Sequence, residues 1–409
     1  MSPGIDPSTA SALIDLDAFA ANIEALRAHV APAAVMVVVK ADAYGHGLLP
    51  CARAAREAGA DWLGVATPGE ALALRTAGDR GPLLAWLYGP QEDLSPLLAA
   101  EVDVSAQSVE QLDRISVWAQ AMGRRAKVHL KIDTGLSRNG ATAADWPAVC
   151  AAARDAERIG TIEVVGIWSH LASADEPGVA SVGVQQQAFE DAYQLALESG
   201  LQPTIRHLAN SAGAMIWPET RYDLVRIGIA AYGIEPDPGI AELAGISLRP
   251  VMRLRGQLVN VKTVATGAGV SYGHTWHAPA STTLGLVPLG YGDGIPRQAG
   301  NLAEVGWRGR RAPIRGRVCM DQFVVELGDQ GLLAGSASGA ASASVSAEVG
   351  DQVTVFGPGE DGEPTAAEWA DWCGTIGYEI VTRIGSRVPR VYRGRSASEG
   401  SSAAEGEGG

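Results

Sequence analysis

Between Leu13 and about Gly233 the chain alternates short apolar runs with helical repeats eight times over, and this rhythm constrains the fold more than any other feature. The apolar runs fall at 34–40, 62–67, 82–88, 103–106, 127–134, 164–170, 204–209 and 224–228. Helical spacing occupies 17–30, 48–59, 68–78, 90–100, 109–122, 143–159 and 184–199, with a short stretch from Ser211. Runs that are apolar on both sides suit a parallel sheet covered on both faces. Eight of them alternating with helices over some 200–250 residues predict an α/β fold, a TIM-like (β/α)8 barrel spanning 13–240. Local signals agree: Thr67-Pro68-Gly69-Glu70 reads as a capping box with proline at the first helical position. Ser108 and Ser211 can each cap the helix that follows.

Past about Pro250 the pattern changes. Strand-like runs at 253–264, 283–289, 312–317, 323–327 and 352–356 are separated by Gly, Pro and Asp turns. They predict a mostly antiparallel β domain over 241–394. Residues 331–348 are Gly/Ala/Ser low complexity and read as a loop insertion, and 395–409 as a disordered tail. The net charge of −14 without basic runs argues against nucleic acid or an anionic membrane surface as partner. No apolar run is long enough to span a bilayer, and residues 1–12 lack the pattern of a signal peptide. Cys51, Cys150, Cys319 and Cys373 form no C-x-x-C pair, which suits a reducing cytoplasm. No H-x-x-x-H or carboxylate cluster suggests a metal site.

The barrel gathers scattered polar residues at one mouth, because strand C-termini share one face. Lys40 ends the first run and Lys131 and Asp133 the fifth, with Arg138 in the loop behind. His170 ends the sixth, Asn210 and Ser211 follow the seventh, and Arg226 precedes Gly228 at the eighth. Period-two alternation puts His129, Lys131 and Asp133 on one side of their strand, facing inward. An inward lysine needs a partner or a chemical change. A buried pair with Asp133 and a functional role are both open. Taken singly, Lys40 has an ordinary explanation as a snorkelling side chain, Ser211 as a cap, and His129 and His170 as structural histidines. Together, a strand-end lysine and a helix start able to cradle phosphate suggest a Schiff base to a phosphorylated aldehyde, namely pyridoxal phosphate. An aldolase satisfies the same physics. In the second domain Gly269-Val-Ser-Tyr272-Gly273 and Cys319-Met320-Asp321 stand out as compact motifs in glycine or polar context.

Ten such segments, in order, resemble the alanine racemase family: V-V-V-K-A-D-A-Y-G-H-G, K-I-D-T-G-L-S-R-N-G, W-S-H-L-A-S-A-D, H-L-A-N-S-A, V-R-I-G-I-A-A-Y-G, V-S-Y-G-H-T-W, P-L-G-Y-G-D-G, V-C-M-D-Q, G-Y-E-I and R-V-P-R. The resemblance runs from about Leu13 to Tyr392. It implies a pyridoxal 5'-phosphate barrel, a β domain that takes in residues 1–12, and a head-to-tail homodimer with shared active sites. It implies an isomerase that supplies D-alanine for the cell wall. Lys40 looks like the Schiff-base lysine and the base for one face of the substrate, and Tyr272 of the partner subunit like the base for the other. Two bases are what racemisation needs, one to take the α-proton and one to return a proton from the opposite side. By the same resemblance Tyr44, Ser211, Gly228, Ile229 and Tyr378 hold the phosphate, with Asn210 beside it. His170 stacks near the ring and Arg226 meets its nitrogen. Arg138 and the Met320 N–H hold the substrate carboxylate, Lys131 is carbamylated, and Tyr291 and Tyr378 narrow the entry. An arginine does not readily give up its proton, so the ring nitrogen facing it stays unprotonated. That favours simple reprotonation over transamination. A pyridoxal-phosphate carrier without catalysis, and a racemase with broader scope including serine, are the competing expectations.

Overall fold

The structure, a computed structural model, describes residues 7–328 and 346–394. The tail expected at 395–409 and all but the last three residues of the insertion expected at 331–348 lie outside the described residues. The chain divides into two compact units. One comprises Phe19–Ala43 and Gly47–Leu248, and the other holds the remaining described residues. Among the described residues no helix is long and apolar enough to cross a membrane, and no group of three or more His, Cys, Asp or Glu is placed to hold a metal.

The strand at the chain's start, β1 (Ala10–Asp15), belongs to the second unit. The first unit is the barrel. Its strands are β2 (Ala34–Val38), β3 (Trp62–Val65), β4 (Leu83–Ala85), β5 (Asp103–Ala106), β6 (Ala126–Lys131), β7 (Ile162–Trp168), β8 (Ile205–His207) and β9 (Leu224–Ile227). All pair in parallel, in the order β8-β7-β6-β5-β4-β3-β2-β9. The seam between β8 and β9 is drawn together by Asp223 N–H to Arg206 O at 3.2 Å and Arg226 N–H to Ala209 O at 3.0 Å. Strand after strand is buried Val, Leu, Ile and Ala, which is why continuous apolar runs marked them. Each large aliphatic or aromatic side chain so buried contributes about 1.5–3 kcal/mol.

Helix ends follow the expected chemistry. Thr67 Oγ1 accepts the Glu70 N–H while Glu70 accepts that of Thr67, closing the capping box of helix Pro68–Thr76. Ser108 caps Val109–Ala121. The helix expected at 90–100 shrinks to Ser95–Ala99. Glu92 accepts the Gly89 N–H and Asp93 accepts that of Ser95, so side chains offer this stretch a turn in place of a helix.

In the second unit a nine-stranded sheet runs β11-β14-β17-β16-β15-β18-β10-β1-β19. Its later strands are β10 (Met252–Gln257), β11 (Asn260–Val264), β14 (Thr282–Val287), β15 (Glu304–Trp307), β16 (Arg310–Arg315), β17 (Phe323–Gly328), β18 (Gln352–Phe356) and β19 (Arg390–Arg393), with a separate hairpin of β12 (Gly269–Val270) and β13 (Trp276–His277). Every pairing in the sheet is antiparallel except β1 with β19.

Candidate active site

Lys40 follows β2 and starts a turn of unusual hand. Ala41, Asp42, Ala43 and Tyr44 all have φ near +53°, in the left-handed region. None is glycine, so each costs about 1–2 kcal/mol against the right-handed form. The turn is held from several sides. Ala41 N–H donates to Glu70 Oε1 at 2.7 Å, Ala43 N–H to Val39 O at 2.9 Å, and Leu48 N–H to Asp42 Oδ1 at 2.7 Å. Glu70 therefore caps its own helix and pins the residue after Lys40. Nothing in the sequence announced this turn, which lacks the glycine that such a conformation usually demands.

Lys40 is half-buried. Desolvation, then the Arg138 guanidinium, pull its pKa below the ordinary lysine value, against an opposing pull from Glu70. Lys131 is more perturbed, pushed down to about 7 by burial and by Arg226 and Arg138. Its Nζ lies 4.4 Å from the centre of the Trp168 ring. The alternative of a Lys131–Asp133 pair is not what forms. Asp133 Oδ1 instead accepts the N–H groups of Gly135 and Ser137, shaping the loop that carries Arg138. Arg138 is exposed and lines an open cavity of about 770 Å³ with Asp133, Asn139, Gln107 and Thr142.

Arg226 is buried, and among the described residues no carboxylate pairs with it. Nη1 donates to His207 O at 2.7 Å, and Nη2 to Ser169 O at 2.7 Å and Leu208 O at 3.1 Å. Its Cζ sits 5.0 Å over Trp168. Burial lowers its pKa to about 9, which leaves it charged at neutral pH. His170 packs on Trp168 with centroids 5.0 Å apart, and its Nδ1 is buried without a hydrogen-bond partner. Desolvation and the nearby cations, Arg226 first, hold His170 neutral. At the other end Asn210, not Ser211, is the cap of helix Ser211–Ile216, its Oδ1 accepting the Gly213 N–H at 2.9 Å. Ser211 Oγ accepts the Gly228 N–H at 2.9 Å across to the turn Ile229–Tyr232. The barrel thus brings together Lys40, Lys131, Arg138, His170 and Arg226, and joins Asn210, Ser211, Gly228 and Ile229 beside them.

The remaining expected residues belong to the second unit. Tyr44 and Tyr378 pack there with ring centroids 6.4 Å apart. The segment at Gly45 is seated so closely that an added Cβ would lie 2.5 Å from Val381 O. Tyr291 N–H donates to Cys319 O at 3.0 Å and Gly292 N–H to Met320 O at 2.8 Å, which joins the P-L-G-Y-G-D-G and V-C-M-D-Q segments. Gly290 lies 2.3 Å from Cys319 O by its hypothetical Cβ, so no larger residue fits. Ser271 Oγ donates to Arg317 O at 2.7 Å, fixing the residue before Tyr272. Tyr272 itself is 72 % exposed, Met320 53 % and Tyr291 43 %. Reasoning from sequence passed over Trp168, whose face takes two cations, and His207 and Asp103. The period-two alternation that marked His129 was the available signal for them.

A family model described as the alanine racemase N-terminal domain matches residues 14–236, and one for the alanine racemase C-terminal domain matches 251–392. The alanine racemase of Frankia casuarinae is 50 % identical over 391 residues, covering 96 % of this chain and 98 % of its own. The alanine racemase of a D-cycloserine-producing Streptomyces lavendulae superposes with a TM-score of 0.90 at 48 % identity, over 96 % of this chain and 98 % of that one. The Bartonella henselae alanine racemase, a structure with covalently bound pyridoxal phosphate, has a TM-score of 0.79 at 27 % identity, over 94 % and 99 %.

Proposed function

The chain belongs to the alanine racemase family and is an isomerase that interconverts L- and D-alanine, and from that premise we propose that it works as a homodimer with pyridoxal 5'-phosphate, using Lys40 of one subunit and Tyr272 of the other as opposed bases. The observation that carries this is the placement of a half-buried Lys40 at the end of β2, close to Arg138 and Arg226, where desolvation and then Arg138 lower its basicity. A lysine whose proton is more easily shed than usual can act as both nucleophile and base.

The donor set fits the cofactor. Among the described residues the side-chain hydrogen bonds of Arg226 leave from its terminal nitrogens, so Nε would be the natural partner of a ring nitrogen. Ser211 spends only its lone pairs on the Gly228 N–H, which leaves its own proton for a phosphate oxygen. Gly228 and Ile229 would complete that end, with Asn210 fixing the helix start and His170 available to the ring; by the family resemblance Tyr44 and Tyr378 would add their hydroxyls. When bound through Lys40, the cofactor draws electron density from the substrate and acidifies its α-hydrogen.

The protein's own groups then do the proton work. Lys40 Nζ takes the α-proton from one face, and Tyr272 Oη of the partner subunit delivers one to the other; the reverse direction exchanges the roles. Arg138 and the Met320 N–H fix the substrate carboxylate. Lys131, a neutral amine for much of its population at neutral pH, adds to carbon dioxide and releases one proton. The resulting carbamate puts a negative charge among Arg138, Arg226 and Lys40. Tyr291 and Tyr378 narrow the entry to a one-carbon side chain. With its four unpaired cysteines the chain suits the cytoplasm, and its acidic charge suits no nucleic acid partner.

Tyr272→Phe tests the scheme. Loss of optical activity from L-alanine should fall by a factor of roughly 10² to 10⁴, the range of a removed general base, while the absorbance of bound cofactor persists. Undiminished turnover would remove Tyr272 from its role.

A further inference from the structure

A chain of buried polar groups crosses the barrel interior from β5 to β9. Arg226 Nη1 lies 3.4 Å from His207 Nδ1. His207 Nε2 lies 2.9 Å from His129 Nδ1, and His129 Nε2 lies 3.3 Å from Asp103 Oδ2. Both histidines are fully buried, and Asp103 and Arg226 are each 4 % exposed.

The two ends dictate what lies between. A guanidinium can only donate and a carboxylate can only accept. A neutral imidazole offers one donor and one acceptor. One arrangement alone satisfies every link: both rings carry their proton on Nε2. A proton on His207 Nδ1 would set donor against donor at Arg226. All three hydrogen bonds then point from the cation toward the anion, and such aligned chains reinforce one another in a low-dielectric interior.

The surroundings are shaped for this chain. Gly166 leaves the space that His129 fills, since an added Cβ would lie 2.6 Å from His129 Nδ1. Trp168 stacks parallel on His207, with centroids 5.5 Å apart and 1° between planes. Its Nε1 is anchored to Ser105 Oγ at 2.9 Å, and its ring also carries Arg226. Trp62 meets His129 edge-on. The other cation near Asp103, Arg75, is already paired with Asp79 at 2.7 Å. Among the described residues Arg226 has no carboxylate partner, and Arg75, which also feels Asp103, has Asp79 as its nearer and stronger partner.

We propose that Asp103 is the remote counter-charge of Arg226, acting through His129 and His207 to fix both rings as Nε2–H tautomers and to hold the guanidinium in position. Asp103 is thus a positioning residue for the cofactor-ring end of the site, which rests on the assignment of Arg226 to that end. A buried charge left without its counter-charge is strongly disfavoured, so removing Asp103 loosens a group well beyond its own contacts.

The test uses the full-length, cofactor-loaded protein labelled with ¹⁵N-histidine, with ring signals assigned through His129→Gln and His207→Gln. Long-range ¹H–¹⁵N correlations of the unmutated protein should show both rings protonated at Nε2 alone. Asp103→Asn should alter the tautomer or broaden the signals of at least one ring and shift the absorbance of bound cofactor. It should also lower kcat by on the order of tenfold, as lost outer-layer support does elsewhere, with KM for alanine within twofold. Asp103→Glu, which keeps the charge, should restore most of each. An Nδ1–H or doubly protonated ring in the unmutated protein overturns the proposal, whether or not Asp103→Asn folds. So does an Asp103→Asn protein whose tautomers, cofactor band and kcat all match the original. Should the unmutated protein neither bind pyridoxal phosphate nor racemise alanine, the proposed function fails, yet the ring tautomers still decide the role of Asp103.

Discussion

Lys131 is the residue whose charge is hardest to accommodate. Its amine is buried against Trp168 and its pKa falls to about 7, through desolvation first and then Arg226 and Arg138. An unfolded chain would hold that proton up to about pH 10.4. Between these values the unfolded state binds more protons than the folded one, so stability rises with pH. The penalty is present in full below about pH 7 and vanishes once both states are neutral. In CO₂-depleted buffer, Lys131→Gln should therefore melt above the parent at pH 6.5, and the gap should narrow steadily as the pH rises to 9.5. Added bicarbonate at pH 8 should raise the melting temperature of the parent only, because a carbamate reverses the sign of the charge among the neighbouring cations. Parallel melting curves across this range, indifferent to bicarbonate, would refute both statements.

The left-handed turn after Lys40 is the element that sets the lysine's direction, and Glu70 is the hinge pin it shares with helix Pro68–Thr76. Losing a cap costs about 1 kcal/mol. Thr67→Ala should cost that much stability and leave turnover alone, because only the helix end is affected. Glu70→Ala removes the cap and also the anchor of Ala41 N–H. It should lose about 1–2 kcal/mol by denaturant titration and slow racemisation several-fold. Equal kinetic effects from both substitutions would mean that the turn holds itself. The contrast also shows what could be foreseen. Eight buried strands announce themselves because parallel strands covered on both faces must be apolar throughout, and the capping box is a local signal. The Ala41–Tyr44 turn is invisible because its residues prefer the opposite hand, and contacts that include Glu70, Val39 and Leu48 override them. The Asp103–His129–His207 chain was half visible as an inward-facing histidine. Its completion joins strands 26 and 78 residues from His129, and no local pattern reports that. Tyr272 was legible only through resemblance, since an exposed tyrosine between glycines is an ordinary turn by every local measure.

At the scale of the whole molecule, the proposed sharing of sites makes a quantitative demand. Lys40→Ala and Tyr272→Phe chains should each be nearly inactive as homodimers. Mixed after reversible dissociation, half the dimers would be hybrids, each with one intact and one doubly defective site. Activity should then recover to about a quarter of the parent's, as two-fold symmetry requires. A mixture as inactive as its components would place both bases in one chain. One further consequence lies in β1. This strand is paired with β10 on one side and with β19, the last strand described, on the other. On a ribosome it emerges ahead of both neighbours and waits some 240 residues for β10 and about 380 for β19. At about 5–20 residues per second the longer wait is roughly 20–80 s. The barrel strands are all released well before β19 exists. A segment made ahead of the barrel thus reaches its full pairing after it, and until β19 appears at least one of its edges stands open to a wrong partner.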